Sequence, residues 1–276
     1  MVMLDLSIFL LGPFSASLGD QPLYKFRTNK VQALLIYLVM DAEQVHRREA
    51  LMSMLWPDLP QPSAQVNLRQ TIYRLRQAIP EVSSKKGQKA VPFLISERQT
   101  VQINPEADFF LDVTAFSTKI ERDPAQAVLL YRDDFLSDFY LSDSNEFEEW
   151  AQVQRETLRR QALDALDTLT ETYLQTAVYD EAQTYAWKQL EIDKLRESAY
   201  RQLMIALMQS GQRSAAIAQY HICRDHLHDE LGVEPMAEIT ALYEQIQANT
   251  LPQEIQPEVK KAKVKSGRFH TTLLRH

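Results

Sequence analysis

The sequence predicts a mainly α-helical protein: a small N-terminal α+β domain followed by an all-α domain built from helical repeats. Three observations carry this. Residues 1–105 mix short β-rich runs with amphipathic helical patterns, and from about residue 113 the hydrophobic spacing is helical throughout. Within that second part, large and small residues recur 34 positions apart.

The elements follow in order. "LSIFLLGPFSASLGDQPLYKF" within residues 4–26 reads as two or three strands, broken at Gly12-Pro13 and Gly19-Asp20. Val31, Leu34, Leu35, Leu38 and Val39 recur at helical spacing behind Thr28, a candidate N-cap. A second helix is expected at 47–56, "RREALMSMLW", with Leu51 and Leu55 on one face and His46 at its cap. The prolines of "PDLPQPS" are expected to keep that segment non-helical, so Ser63 would cap the third helix. A hairpin closes the domain: "PFLIS", the turn "ERQT", then "VQINP".

In the repeat part, Leu166, Leu169, Tyr173, Ala177 and Ala182 lie 34 residues before Tyr200, Leu203, Leu207, Gly211 and Ala216. This is the period of a tetratricopeptide-like helix–turn–helix. Helices at 115–132, 144–175 and 236–248 are expected to complete the stack. The expected division is therefore an α+β domain at 1–105, a repeat domain at 113–248 and a flexible, lysine-rich tail at 249–276.

Charge divides the chain in the same places. Residues 1–105 hold 12 Lys+Arg and 8 Asp+Glu; residues 106–248 hold 12 and 27; residues 249–276 hold 6 and 2. An acidic body thus carries a basic N-terminal part, which points to separate roles. The lone cysteine, Cys223, cannot form an intrachain disulfide and fits a reducing compartment. "MVMLDLSIFLLGPF" lacks a basic flank and Asp5 interrupts it, unlike a secretory signal. No apolar run reaches the roughly 18 residues of a membrane span. A cytoplasmic protein with no membrane partner is expected.

The stretch "VNLRQTIYRLRQAI", residues 66–79, has three arginines and no carboxylate. At 100° per residue, Leu68, Ile72, Leu75 and Ile79 form one narrow apolar stripe. Arg69, Gln70, Tyr73, Arg74 and Asn67 face away from it, and Arg76 lies near the stripe's edge. Arg pairs with guanine edges and Gln or Asn with adenine edges, while Arg and Tyr also bind phosphate. In the order strands, three helices, hairpin, such a third helix is the one a winged helix places in the major groove.

The run from "FRTNKVQALLIYLVM" through "RREALMSMLW" to "NLRQTIYRLRQAI" resembles the OmpR/PhoB-type winged helix-turn-helix, most closely that of the SARP/AfsR-like bacterial transcriptional activators. "LLYRDDFLSDF", "FEEWAQVQRETLRRQALDAL" and "LHDELGVEPMAEITALYEQI" resemble the bacterial transcriptional activator domain (BTAD) that accompanies it. The resemblance implies DNA contacts at Arg69, Gln70, Tyr73, Arg74 and Arg76, a phosphate contact at Arg47, and wing contacts at Arg98 and Thr100. It also implies that "PDLPQPS" corresponds to a segment that touches RNA polymerase, and that copies bind side by side on repeated sites. The expected partners are double-stranded promoter DNA, RNA polymerase holoenzyme and a second copy of the chain.

Other signals are weaker. His221, Cys223, His226 and His228 in "HICRDHLH" look like a metal box, yet no pair has i, i+4 spacing and the i, i+7 pair lies about 10 Å apart along a helix. Acidic pairs in "RDD" and "NEFEEW" come without a nucleophile, glycine loop or metal motif. No metal, cofactor or enzymatic activity is expected. Lys260, Lys261, Lys263 and Lys265 read as linker solvation. Two other function classes stay open: a repeat-type interaction scaffold whose winged helix binds no DNA, and the front part of a larger ATP-dependent (STAND-type) regulator.

Overall fold

The computed structural model describes residues 5–24, 26–87 and 89–250. It begins with β1 (Leu6–Phe9), β2 (Ser15–Leu18) and β3 (Gln21–Pro22), followed by α1 (Asn29–Met40), β4 (His46–Arg47), α2 (Arg48–Leu55) and α3 (Gln61–Ala78). Val31, Leu34, Leu35, Leu38 and Val39 are all buried, as the helical spacing requires. Thr28 is the N-cap of α1, but its side chain makes no capping bond. Its carbonyl instead accepts the Val31 N–H at 3.0 Å.

Two helix starts correct the sequence reading. The N-cap of α2 is Arg47, not His46. The wing satisfies the first N–H of the helix, because the Arg48 N–H donates to Gln99 O at 2.9 Å. Helix α3 starts at Gln61, with Pro60 as N-cap and Pro62 in its first turn, rather than at Ser63. Proline does not stop a helix there: first-turn N–H groups have no intrahelical acceptor, and a φ near −65° suits the turn. The N–H groups of Ser63 and Ala64 close that turn on Pro60 O at 2.9 and 3.1 Å.

Beyond α3 come β5 (Glu81–Ser83), β6 (Ala90–Pro92), β7 (Leu94–Ser96), β8 (Thr100–Ile103) and β9 (Phe109–Leu111). The expected hairpin is β7–β8, with Ser96 opposite Val101 and Glu97 N–H donating to Thr100 O at 2.9 Å. Strand β4 joins it, giving the order β4-β8-β7, and β5-β6 forms a separate ribbon. The remaining strands run β3-β2-β1-β9, with β9 parallel to β1.

This sheet is completed by residues beyond 105. Leu6, Ile8 and Leu111 of β1 and β9 are buried in one core with α1 and α3 residues. Next to it, the Asp112 carboxylate, 1% exposed, accepts the N–H groups of Leu10 (2.8 and 3.0 Å) and Leu11 (3.0 Å). Arg132 Nη2 lies 3.5 Å away.

The helical part comprises α4 (Asp112–Lys119), α5 (Pro124–Val128), α6 (Asn145–Gln175), α7 (Tyr179–Ile192), α8 (Glu197–Gln209), α9 (Arg213–Leu231) and α10 (Ala237–Ala248). The helix expected at 115–132 is two helices. Asp123 accepts the Gln126 N–H at 3.2 Å and Pro124 follows, so a new start is built into the middle of the segment.

The 34-residue period reappears in backbone geometry. Ala177 and Gly211 both have positive φ, 59° and 81°. The next residue closes each turn: Val178 N–H to Tyr173 O at 2.9 Å, and Gln212 N–H to Leu207 O at 2.8 Å. Ala182 and Ala216 are fully buried.

The chain divides into two compact units. One holds residues up to Leu169 together with Tyr185–Lys194; the other holds Thr170–Thr184 and the described residues from Leu195 onward. In the second unit Tyr220 stacks on Tyr243 at 4.1 Å, and Arg213 Nε donates to Ile246 O at 2.8 Å, tying α9 to α10. No helix among the described residues is long and apolar enough to cross a membrane. The tail expected at 249–276, with Lys260, Lys261, Lys263 and Lys265, lies outside the described residues apart from Asn249 and Thr250.

Candidate nucleic-acid interface

Helix α3 shows the two faces its sequence predicts. Leu68, Ile72 and Leu75 are buried; Ile79, just past the helix, is buried as its C-cap. Arg69, Gln70, Tyr73 and Arg76 are exposed, while Arg74 and Asn67 are half-buried. Tyr73 is 59% exposed, and its hydroxyl accepts a bond from Gln77 Nε2 at 2.8 Å one turn on. An aromatic side chain this far into solvent leaves both a ring and a polar tip available to a partner.

Four of the eight residues named from the sequence meet in one concavity of 730 Å³: Arg47, Arg69, Arg98 and Thr100. They come from three places. Arg47 lies on β4, Arg69 on α3, and Arg98 and Thr100 at the wing. The register explains the convergence, because Arg47 pairs with Thr100 across β4 and β8. Gln70, Tyr73, Arg74 and Arg76 do not line this concavity; they continue the basic surface along α3. Arg76 Nη2 reaches Leu94 O at 3.4 Å, so it links α3 to the base of the wing.

Arg48 also lines the concavity, and the sequence reading missed it. Its Nη2 donates to Ser96 Oγ at 2.6 Å and its Nε to Glu97 O at 3.0 Å. It fastens the helix start to the wing strand. Burial, and then the charges of Arg69 and Arg76, lower its pKa from the ordinary arginine value. Cations crowded this closely repel one another and favour a polyanion that neutralises them together. The one sequence signal was the doubled arginine of "HRRE". A reading of exposed helical faces passes over it because Arg48 is half-buried.

The concavity is not purely basic. Glu49, in the first turn of α2, lines it too. A carboxylate there stabilises the helix N-terminus.

The "HICRDHLH" residues take separate roles. Cys223 is buried, and burial pushes its thiol up to about 12. His226 Nδ1 lies 2.8 Å from the Tyr200 hydroxyl, and His221 sits edge-on to Tyr243. Among the described residues, no group of three or more His, Cys, Asp or Glu side chains is placed to hold a metal.

Residues 118–247 match the family described as bacterial transcriptional activator domain. The chain is 26% identical over 247 residues to the transcriptional regulatory protein MoaR1 of Mycobacterium tuberculosis, a match covering 86% of this chain and 78% of that protein. It is 26% identical over 243 residues to the regulatory protein AfsR of Streptomyces griseus, covering 86% of this chain and 24% of that longer protein. A solved structure of Mycobacterium tuberculosis EmbR in complex with a low-affinity phosphopeptide aligns over 91% of this chain and 67% of its own, with a TM-score of 0.65 at 20% identity. At that identity the likeness speaks for the fold.

Proposed function

We propose that this chain, whose residues 118–247 match the bacterial transcriptional activator domain, is a SARP/AfsR-like regulator that activates transcription by binding promoter DNA through α3 and the wing. The observation that carries this reading is the concavity where Arg47, Arg69 and Arg98 converge from a strand, a helix and a hairpin. The α3 face beside it has no carboxylate.

The roles divide by geometry. Arg69, Gln70, Tyr73 and Arg74 on the exposed face of α3 read base edges in the major groove. Arg47, Arg98 and Thr100 hold phosphates on either side and fix the register. Arg76 and Arg48 position the wing. The division of labour is 1–105 for DNA and 113–248 for partner contact and side-by-side association on repeated sites, with 249–276 as a linker. RNA polymerase holoenzyme meets the segment between α2 and α3, where Leu59 is 41% exposed. The protein acts in the cytoplasm, by placement rather than by chemistry on a substrate.

The test is a mobility-shift series on a promoter fragment and a scrambled duplex at several salt concentrations. Arg69→Ala is expected to lose about 1–3 kcal/mol on the promoter and far less on the scrambled sequence. Wild-type affinity retained by Arg69→Ala on the promoter would overturn the assignment.

A further inference from the structure

A second cationic cavity lies away from the arginine concavity and shares none of its lining residues. It has a volume of 330 Å³ and is lined by Ser84, Lys85, Lys86, Lys89, Pro105 and Glu106. Two turns build it: the β5–β6 turn and the turn after β8.

These turns are latched to each other. Lys85 N–H donates to Glu106 O at 2.9 Å, Asp108 N–H to Ser83 O at 2.8 Å, and Ser84 bridges Ala107. Asn104 stiffens the second turn, donating from Nδ2 to Pro92 O at 2.8 Å and accepting the Glu106 N–H at 3.0 Å. These bonds tie together the two turns that carry the lining residues.

Its charge balance is positive. The Glu106 carboxylate lies 3.4 Å from Lys89 Nζ and offsets that lysine. Lys85 and Lys86 make no ion pair among the described residues. The Ser84 side chain is the independent sign of a ligand. Ser84 is 4% exposed, and its Oγ has no hydrogen-bond partner among the described residues. A buried hydroxyl left unsatisfied is costly and calls for an explanation.

We propose that this cavity binds a phosphate group, with Lys85 and Lys86 supplying charge and the Ser84 hydroxyl donating to a phosphate oxygen. Lysine is a point-charge phosphate ligand that tolerates varied geometry, and a hydroxyl donor fixes one oxygen. The size suits a phosphoryl group with part of what carries it, at the small end of ligand cavities. The group belongs either to a free phosphorylated compound or to a DNA backbone.

The experiment uses the full chain with Ser84→Ala and a Lys85→Gln/Lys86→Gln double variant. One arm measures thermal stabilisation by inorganic phosphate and pyrophosphate against chloride at matched ionic strength. The other maps the phosphates on a promoter duplex whose ethylation blocks binding. Saturable stabilisation of the wild type, with affinity about tenfold weaker in the double variant and also reduced in Ser84→Ala, assigns a free phosphate ligand. No stabilisation, but loss of a flanking ethylation contact in both variants, assigns a backbone phosphate. Either result supports the site. If Ser84 only packs, its alanine variant keeps both responses. Equal behaviour of all three proteins in both arms overturns the proposal, whatever Arg69→Ala does to promoter recognition.

Discussion

Arg47 stands opposite Thr100 in the antiparallel pairing of β4 with β8, so the residue before α2 and the first residue of the returning wing strand share one rung of a ladder. The wing is therefore fixed to the helices it works beside. Arg47 and Arg98 line one concavity and would share one stretch of phosphates. Arg47→Ala and Arg98→Ala should each weaken binding to all duplexes alike and reduce the salt slope by about 1. Because they share a site, the double variant should lose less or more than the sum of the singles. Fluorescence anisotropy titrations over a salt series read both quantities, and unchanged slopes would count against phosphate contact.

Arg48 is expected to act on the wing before it acts on DNA. Arg48→Met removes the bonds to Ser96 Oγ and Glu97 O. For a half-exposed group this should cost about 1 kcal/mol of stability. Arg48→Lys should not restore it, because an ammonium lacks the planar fork that reaches both acceptors. Thermal unfolding of the three proteins decides this, and a fully restored lysine variant would contradict the fork argument.

The equivalent turns at Ala177 and Gly211 predict opposite responses to exchange. Ala177 holds φ 59° with a Cβ present, and Gly211 holds φ 81° without one. Ala177→Gly should stabilise by a few tenths up to about 1 kcal/mol, and Gly211→Ala should destabilise by about 1 kcal/mol or more. A Cβ at Gly211 meets nothing within 4 Å, so the penalty is conformational rather than steric crowding. Chemical denaturation midpoints would show the two signs.

Asp112 gives a pH dependence with a definite sign. Burial raises its carboxyl above the ordinary 3.8, and the Leu10 and Leu11 N–H groups and Arg132 only partly oppose that. The folded state therefore holds the proton to higher pH than the unfolded state. The carboxyl's contribution to stability is fully present below 3.8 and declines as pH rises through the raised folded value. Asp112→Asn cannot titrate. The stability of wild type relative to this variant should fall as pH rises from 3.8 and level off above the folded value. Denaturation at a series of pH values tests the slope, and a wild-type advantage that grows with pH would reverse the sign.

Cys223 is expected to be inert. With its thiol pushed up to about 12 by burial, almost no thiolate exists at neutral pH. A thiol reagent should label the native protein slowly, and one equivalent rapidly after denaturation. Fast labelling of the native state would place the sulfur at the surface.

Much of this architecture was legible because it rests on periodicity. The stripe Leu68–Ile72–Leu75 and the 34-residue equivalence of Ala182 with Ala216 are side-chain patterns that a sequence displays directly. What was hidden depends on distant pairing. Strand β9 is three residues long, and only its partner β1 makes it a strand. The β5–β6 ribbon has only three residues in each strand and carries Pro92, too short a run for alternation to reveal it. Arg48 escaped because its role is to hold a wing about 50 positions away. Pro62 misled because a breaker within a helix is harmless in its first turn. The cavity beside Ser84 leaves no local signature beyond a run of lysines.

The parallel pairing of β1 with β9, and the Asp112 carboxylate on Leu10 and Leu11, also set a timetable. During synthesis the first strand emerges about 100 residues before these partners exist. At about 5–20 residues per second, that is roughly 5–20 s. Until then the run Leu6–Leu11 has its hairpin and the core residues of α1 and α3 to pack on but lacks β9 and Asp112, and long-range closure of this kind slows folding. A newly made N-terminus is therefore exposed to chaperones and to misassociation for that interval. Destabilising Phe109–Asp112 should lower the yield of folded protein in the cell more than it lowers the stability of the purified chain.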